Sequence, residues 1–217
     1  MLVVSDSGDR VGSRTKLKTR MTLKSALDHF IAALGLIISA PILLLVAILV
    51  KLDTPGPAFY RRRVVGLHGK EFDALKLRTM VVNADEILRQ NSELRRQFEK
   101  DFKLRDDPRV TRLGRFLRRT SIDELPQLIN VLRGEMSLVG PRMISPAELH
   151  RYGEHAQKLL CVKPGMAGPW VAAGRQEIPY EQRVVIDLQY IDNWSLWSDI
   201  KILFATLISA LTMRGAY

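Results

Sequence analysis

The stretch FIAALGLIISAPILLLVAILV, Phe30 to Val50, runs for 21 residues without a charge. As one helix rising about 1.5 Å per residue it just covers a hydrocarbon core of about 30 Å. Length alone reads as a transmembrane helix, but two features argue against a simple span. Pro41 lies near the middle, where its missing N–H and its ring free the carbonyl of Ile37 and bend a helix; Ser39 can offer its hydroxyl to the exposed backbone. Charge is the second feature. Arg14, Lys16, Lys18, Arg20 and Lys24 precede the block, and Lys51, Arg61, Arg62 and Arg63 follow it, so both flanks carry the mark of the cytoplasmic side. A hairpin that dips into one leaflet and returns satisfies both features, whereas a kinked span leaves one basic flank on the wrong side. Residues 21–52 are therefore read as a re-entrant membrane helix turned at Ser39 and Pro41. Asp28, just before the block, falls at the interface, either paired with a basic residue or serving as a helix-start acid.

Working outward, residues 1–20 are polar, basic and aperiodic and read as a disordered basic tail. No small-residue cleavage site follows the apolar stretch, so a signal peptide is not expected. On the other side, Pro55-Gly56-Pro57 cannot continue a helix and forces a turn. AFYRRRVV and KEFDALKLR flank GLHG and predict a basic two-stranded hairpin. Asn83 to Phe102 carries dense mixed charge with apolar residues at helical spacing and predicts one solvated amphipathic helix. DDPRVTRLGRFLRRT then places five arginines between Arg109 and Arg119, read either as a solvated face against acidic lipid or as a phosphate-binding set. The end of the chain, YIDNWSLWSDIKILFATLISALTM, pairs Trp194 and Trp197 with a long apolar stripe. Residues 191–217 read as an interfacial amphipathic helix with tryptophans at headgroup level, the alternative being a terminal core helix. Between the two membrane elements, 53–190 forms a cytoplasmic domain. The fold class is thus an α-dominated α+β protein: a re-entrant hairpin, a small β-hairpin and interfacial helices around one compact domain.

Composition narrows the partners. A net charge of +10 draws polyanions, whether nucleic acid, acidic lipid or phosphorylated substrates. The single cysteine, Cys161, excludes an internal disulfide and a thiolate metal cluster. His29, His68, His150 and His155 lack ligand spacing, and no HExxH, Walker A loop or GxGxxG is present.

Within this basic chain, SIDELPQLIN, residues 121 to 130, sets two carboxylates side by side. Ser121 and Glu124 match a capping box opening a helix to about Arg133, stopped at Gly134. Neighbours on a helix point about 100° apart, so Asp123 and Glu124 cannot both address one atom. They can divide the work: one attacks phosphorus while the other helps hold a divalent cation with substrate phosphate oxygens. A helix N-terminus and nearby arginines would draw in a pyrophosphate and depress both carboxylate pKa values. Two loops flank the pair: GEMSLVGPRM presents Arg142, and KPGMAGPWVAAGR, residues 163 to 175, carries Trp170 and Arg175 as a candidate substrate-binding element.

DTPGPAFYRR, KLRTM (Lys76 to Met80), the block from Asp107 to Arg142, KPGMAGPW and YIDNWSLWSDIKIL together resemble the bacterial sugar transferase family of monotopic phosphoglycosyl transferases, over about four-fifths of the chain. The resemblance implies that Asp123 is the nucleophile and Glu124 its Mg²⁺-associated partner, with both acids near the metal; Mn²⁺ is the alternative ion. It implies that Arg142 cradles the sugar-linked phosphate, and that Lys76 and Arg118 are further active-site groups. It implies a UDP-sugar donor, a polyprenol phosphate acceptor, anionic lipids of the inner leaflet as the docking surface, the cytoplasmic face of the bacterial inner membrane, and no nucleic acid; homo-oligomerisation is left open. Departures from the family pattern are Ser39-Ala40-Pro41 at the helix break, Arg62 and Val64 after the PGP turn, Met143 after Arg142, and Ala167 and Val171 in the second loop. The competing reading is a membrane-tethered basic binding protein, or an inactive scaffold for glycan enzymes.

Overall fold

The computed structural model describes residues 7–104, 106–170 and 178–212, with side-chain contacts from residue 19 onward. Helix α1, Ser7–Asp53, has 47 residues with Pro41 inside it. Part of the segment read as a tail is thus helical: each residue added to a nucleated helix gains a hydrogen bond, and Arg, Lys, Leu and Met at 14–24 favour it. The helix is not divided in two at Pro41. Ser39 donates its hydroxyl to Leu36 O at 3.4 Å, one carbonyl earlier than the one Pro41 frees.

Asp28, Ala32, Ser39, Leu43, Val46 and Val50 are the buried positions of α1 from residue 19 onward. Their spacing of threes, fours and sevens is a seam, and it continues on both sides of Pro41. Ala32 packs with Leu128 and Val131, while Leu43, Val46 and Val50 pack with Leu77 and Leu117. The opposite face, including Phe30, Ile37, Ile38, Leu44, Leu45 and Leu52, is exposed. Among the described residues, Thr19–Asp53 is the one helix long and apolar enough to cross a membrane.

Asp28 is buried and stands beside a basic residue, one of the two roles expected for it. Its carboxylate accepts from Ser137 Oγ at 2.6 Å, with Lys24 Nζ 3.8 Å away. The other end of α1 is held by Arg78, whose guanidinium donates to Val50 O, Thr54 O, Thr54 Oγ1, Pro55 O and Pro57 O at 2.7–3.1 Å. One buried cation thereby satisfies a helix C-terminus and the PGP turn together.

Strands β1, Phe59–Val65, and β2, Glu71–Leu77, form the expected antiparallel hairpin, with Tyr60 opposite Lys76. The mixed-charge region is two helices, α2, Ala84–Gln90, and α3, Ser92–Asp101. Asn91 separates them because its side chain caps the second, accepting from Leu94 N at 3.0 Å. Next come α4, Arg112–Thr120, a 3₁₀ turn over Ile122–Gln127, and α5, Leu128–Leu132. Strands β3, Ser137–Val139, and β4, Gly165–Ala167, pair in parallel. Three residues each are too few to show a period, so sequence reading misses them. Between them lie a 3₁₀ segment, Pro146–His155, and α6, Ala156–Leu159. The chain closes with α7, Tyr180–Asp192, and α8, Leu196–Thr212.

Helix α8 packs Ile202 and Leu203 into the core and leaves Trp197, Ile200, Phe204 and Leu207 exposed. Its buried Asp199 gathers Lys24 Nζ at 2.6 Å, Tyr190 OH at 2.7 Å and Trp194 Nε1 at 3.1 Å. Of the two tryptophans expected at headgroup level, Trp194 is therefore tied inward while Trp197 faces out. Helix α4 contacts both α1 and α8 and exposes Phe116, so three neighbouring helices each present apolar residues outward. The coarse result is a helix-rich protein with two small sheets and one long apolar N-terminal helix.

Candidate active site

The acidic turn is positioned by α4. Thr111 Oγ1 caps the helix, accepting from Gly114 N at 2.9 Å, and Thr111 N donates to Thr79 O at 3.0 Å. A Cβ on Gly114 would stand 2.0 Å from Thr79 O, so only glycine lets the helix lie directly on this segment after β2. The helix ends at Ser121, whose φ of 58° and ψ of 16° are left-handed. That conformation overturns the expected capping box: an N-cap needs extended backbone to aim its hydroxyl at the next turn, and here the Ser121 backbone closes the previous helix. Glu124 N bonds the Ser121 carbonyl at 3.2 Å, and the Glu124 side chain is released for other partners. The expected single helix from Ser121 is instead the tight turn containing Pro126, followed by five residues of α5. Gly134 follows the helix end, as read.

Asn130 then locks this unit to β2. Fully buried, it accepts from Leu75 N at 3.0 Å and donates to Asp73 O at 2.9 Å. These bonds fix the strand that carries Lys76 against the acidic turn.

Lys76 Nζ donates to Glu124 Oε1 at 2.7 Å. Arg142 binds the same carboxylate through both terminal nitrogens, one in short contact with Oε1 and the other 3.3 Å from Oε2. Burial would raise the pKa of Glu124, but Arg142 and Lys76 outweigh it and hold the carboxyl well below its ordinary value. Asp123 is in the opposite situation. It is only 5 % exposed and, among the described residues, has no hydrogen-bond or ion-pair partner. Burial pushes its pKa up to about 6 against the pull of Lys76. The expectation that both carboxylates are depressed therefore holds for Glu124 and fails for Asp123, because the cations bond to one acid and only face the other.

Arg118 donates Nε to Thr79 Oγ1 at 2.9 Å, and its charge acts on Asp123. The five arginines of 109–119 do different things. Arg109 is buried in a two-bond pair with Asp107 at 2.7–2.8 Å, Arg118 serves the site, and Arg112, Arg115 and Arg119 are exposed. The structure thus brings Lys76, Arg118, Asp123, Glu124 and Arg142 together. Ser39 and Pro41 lie in α1, where Ser39 bonds within the helix. Arg175 and Val171 fall outside the described residues. Lys103 and Arg183, which reading by motif passes over, stand with Trp170 beside Arg142; the only sequence signal for Lys103 is a lysine just ahead of the DDPR run. Among the described residues no group of three His, Cys, Asp or Glu could hold a metal.

Fold and site together define a membrane-associated protein whose adjacent acids are ringed by fixed cations. The sequence matches the Bacterial sugar transferase family model over residues 19–213, and the chain belongs to that family. It is 45% identical over 212 residues to the undecaprenyl-phosphate galactose phosphotransferase of Salmonella typhimurium, covering 96% of this chain and 44% of that protein. It is 43% identical over 198 residues to the exopolysaccharide production protein ExoY of Sinorhizobium fredii, covering 89% and 88%. With the UDP-glucose:undecaprenyl-phosphate glucose-1-phosphate transferase of Escherichia coli K12 it shares 39% identity over 204 residues, 90% of this chain and 41% of the other. The chain spans under half the length of two of these three relatives.

Proposed function

We propose that the chain transfers a sugar phosphate from a UDP-sugar to polyprenol phosphate, the first step in assembling a glycan or exopolysaccharide. The observation that carries this is the asymmetry of the acidic pair: Glu124 is clamped by Lys76 and Arg142, while Asp123 is held beside them with no bond of its own among the described residues. An unpaired carboxylate in a positive field is what nucleophilic attack on a phosphorus anion requires. The names of the relatives, which specify glucose, galactose and undecaprenyl phosphate, support the same reading and make UDP-glucose and UDP-galactose the first donors to try.

In the first half-reaction an Asp123 oxygen attacks the β-phosphorus of the donor. The new P–O bond forms as the bond to the bridging oxygen breaks, and UMP leaves with that electron pair. In the second, a polyprenol phosphate oxygen attacks the same phosphorus, the bond to Asp123 breaks, and the carboxylate is restored. Arg142 and Lys76 offset charge on the transferring phosphoryl oxygens, and Arg118 keeps the field positive at Asp123.

Mg²⁺ fits this donor set in part. Asp123 offers carboxylate oxygens unbonded among the described residues, and Glu124 Oε2 has the 3.3 Å contact with Arg142; with two carboxylates and no third ligand among the described residues, the remaining positions would come from substrate phosphates and water, as Mg²⁺ prefers. Bound there, it would neutralise phosphate charge.

The α1 segment is proposed to enter and leave the same leaflet on the cytoplasmic face of the inner membrane. Support comes from the buried seam, which rests both halves of α1 on one body. In a Cys161→Ser background, cysteines at residues 20 and 60 are expected to label from one side; opposite sides would refute the topology. For the chemistry, purified protein with Mg²⁺ and a UDP-sugar but no lipid should release one equivalent of UMP and retain the sugar phosphate. Retained label after Asp123→Asn would show the nucleophile to be another group.

A further inference from the structure

Arg142 borders a second space besides the acidic pair. A cleft enclosing about 410 Å³, open solvent included, is lined by residues that include Lys103, Arg142, Trp170, Tyr180 and Arg183. Three cations converge on the Trp170 ring: Arg183 at 4.9 Å from its centroid, Lys103 at 5.3 Å and Arg142 at 5.9 Å. Arg142 is committed to Glu124. Arg183 is buried and donates Nε to Ile178 O at 2.8 Å, with no carboxylate partner among the described residues. Lys103 has no hydrogen bond or ion pair among the described residues. Two carboxylates line the same cleft: Glu148 is spent on Arg62 and on Ser145, and Asp101 makes no hydrogen bond or ion pair to Lys103 or Arg183 among the described residues. Burial, then the like charges of Arg142 and Arg183, pull the Lys103 ammonium down to about 7. Buried and half-buried cations with no carboxylate bonded to them, as Arg183 and Lys103 are here, are costly to fold unless an anion arrives to share them.

We propose that Lys103 and Arg183, standing on Trp170, hold a second phosphate of the substrate, namely the α-phosphate of the nucleotide, which UMP retains as it leaves. This rests on the transfer reaction proposed above. Arg142 touches both Glu124 and Trp170, so it lies between the attacked phosphate and this one, as a diphosphate donor requires. Lipid phosphate offers the same chemistry. The cleft, however, is built from β1, residues 101–103, 142–152, Trp170 and α7, without α1, α4 or α8, the helices whose apolar residues face outward.

The test is titration calorimetry of UMP and of uridine into the full chain in lipid nanodiscs. Lys103→Met is expected to weaken UMP by about tenfold or more, the weight of one charge-assisted contact, and to leave uridine unchanged; Lys103→Arg should stay within about threefold of wild type. Arg183→Lys, which keeps the charge, guards against a fold defect and should bind UMP within about tenfold. In turnover, Lys103→Met should raise KM for the UDP-sugar and leave discharge of a preformed adduct to polyprenol phosphate unchanged. UMP binding equal in wild type and Lys103→Met overturns the assignment. Should the KM for polyprenol phosphate rise instead, the occupant is the lipid phosphate and the nucleotide assignment falls. Asp123→Asn separates this from the reaction itself: an adduct retained by that variant would sink the proposed nucleophile, while Lys103-dependent UMP binding by the same variant would still stand.

Discussion

Residues 121–124 and 145–148 spell the same pattern, Ser-x-x-Glu, and fold to opposite ends. At Ser145 the backbone is extended, φ −75° and ψ 159°, Pro146 opens the turn, and Glu148 reaches back to the Ser145 N–H at 2.9 Å and hydroxyl at 2.7 Å. That is a capping box, and its glutamate is spent on structure. At Ser121 the backbone is left-handed because α4 ends there, so the box cannot close and Glu124 turns to Lys76 and Arg142. What precedes the pattern decides whether its acid starts a helix or enters a site. A helix that must stop at the serine takes away the conformation the cap needs.

The strongest way to separate the two regions is Asp123→Asn, which should lower transfer by ~10³-fold or more, measured as UMP release. The same change should stabilise the fold. Because burial raises the Asp123 pKa from 3.8 to about 6, the folded state prefers the protonated acid. The penalty therefore grows as pH rises from about 4 and is complete above about 6. Thermal melts should show Asp123→Asn more stable than wild type at pH 8, by roughly 1–3 kcal/mol, and equal to it near pH 3. A gain at both pH values would mean that charge is not the cause. Glu124→Gln comes next. It strips Lys76 and Arg142 of their shared counter-charge, and should lose about 10²-fold in turnover with about 3 kcal/mol of stability. Glu148→Gln should keep turnover within about threefold; equal damage from the two would erase the distinction. In wild type, the rate of adduct formation should rise with pH through about 6 as Asp123 ionises, and a flat profile from pH 5 to 8 would contradict its role.

Glycines sharpen the same contrast at smaller scale. Gly114→Ala places a Cβ 2.0 Å from Thr79 O and should cost about 2–3 kcal/mol and activity together, since α4 aims Ser121 and the acids. Gly153, in the 3₁₀ segment after Ser145, has nothing within 4 Å of its Cβ position. Its φ of +50° and ψ of −129° suit glycine, so Gly153→Ala should cost about 1–3 kcal/mol of stability by backbone strain, with activity intact. The smallest pair carries opposite signs. Ser145→Ala should lose about 1 kcal/mol with its cap, whereas Ser121→Gly should gain about 0.5–1 kcal/mol by suiting φ 58°. Chemical denaturation measures both, and a loss at Ser121 would mean that its side chain outweighs its backbone.

Much of this was readable from local pattern. The 21-residue apolar run, the β-hairpin around GLHG, the stop at Gly134 and the acids of SIDELPQ all depend on neighbours a few positions apart, where propensity and periodicity act. The bonds of Asp28 to Ser137 and of Trp194 to Asp199 were not legible, because those partners lie in another element or across a turn. Asn91 divided an apparently single helix with one side-chain bond.

By itself the sequence determined that an apolar helix adjoins a basic domain, and that Asp123 and Glu124 stand together within that domain. Only the tertiary structure decided that the two acids are unequal. Lys76 arrives 48 residues before Glu124 and Arg142 18 after it, and their charges bond to one carboxylate while burial raises the other. Pairing and desolvation are properties of position in space, which adjacency along the chain does not fix.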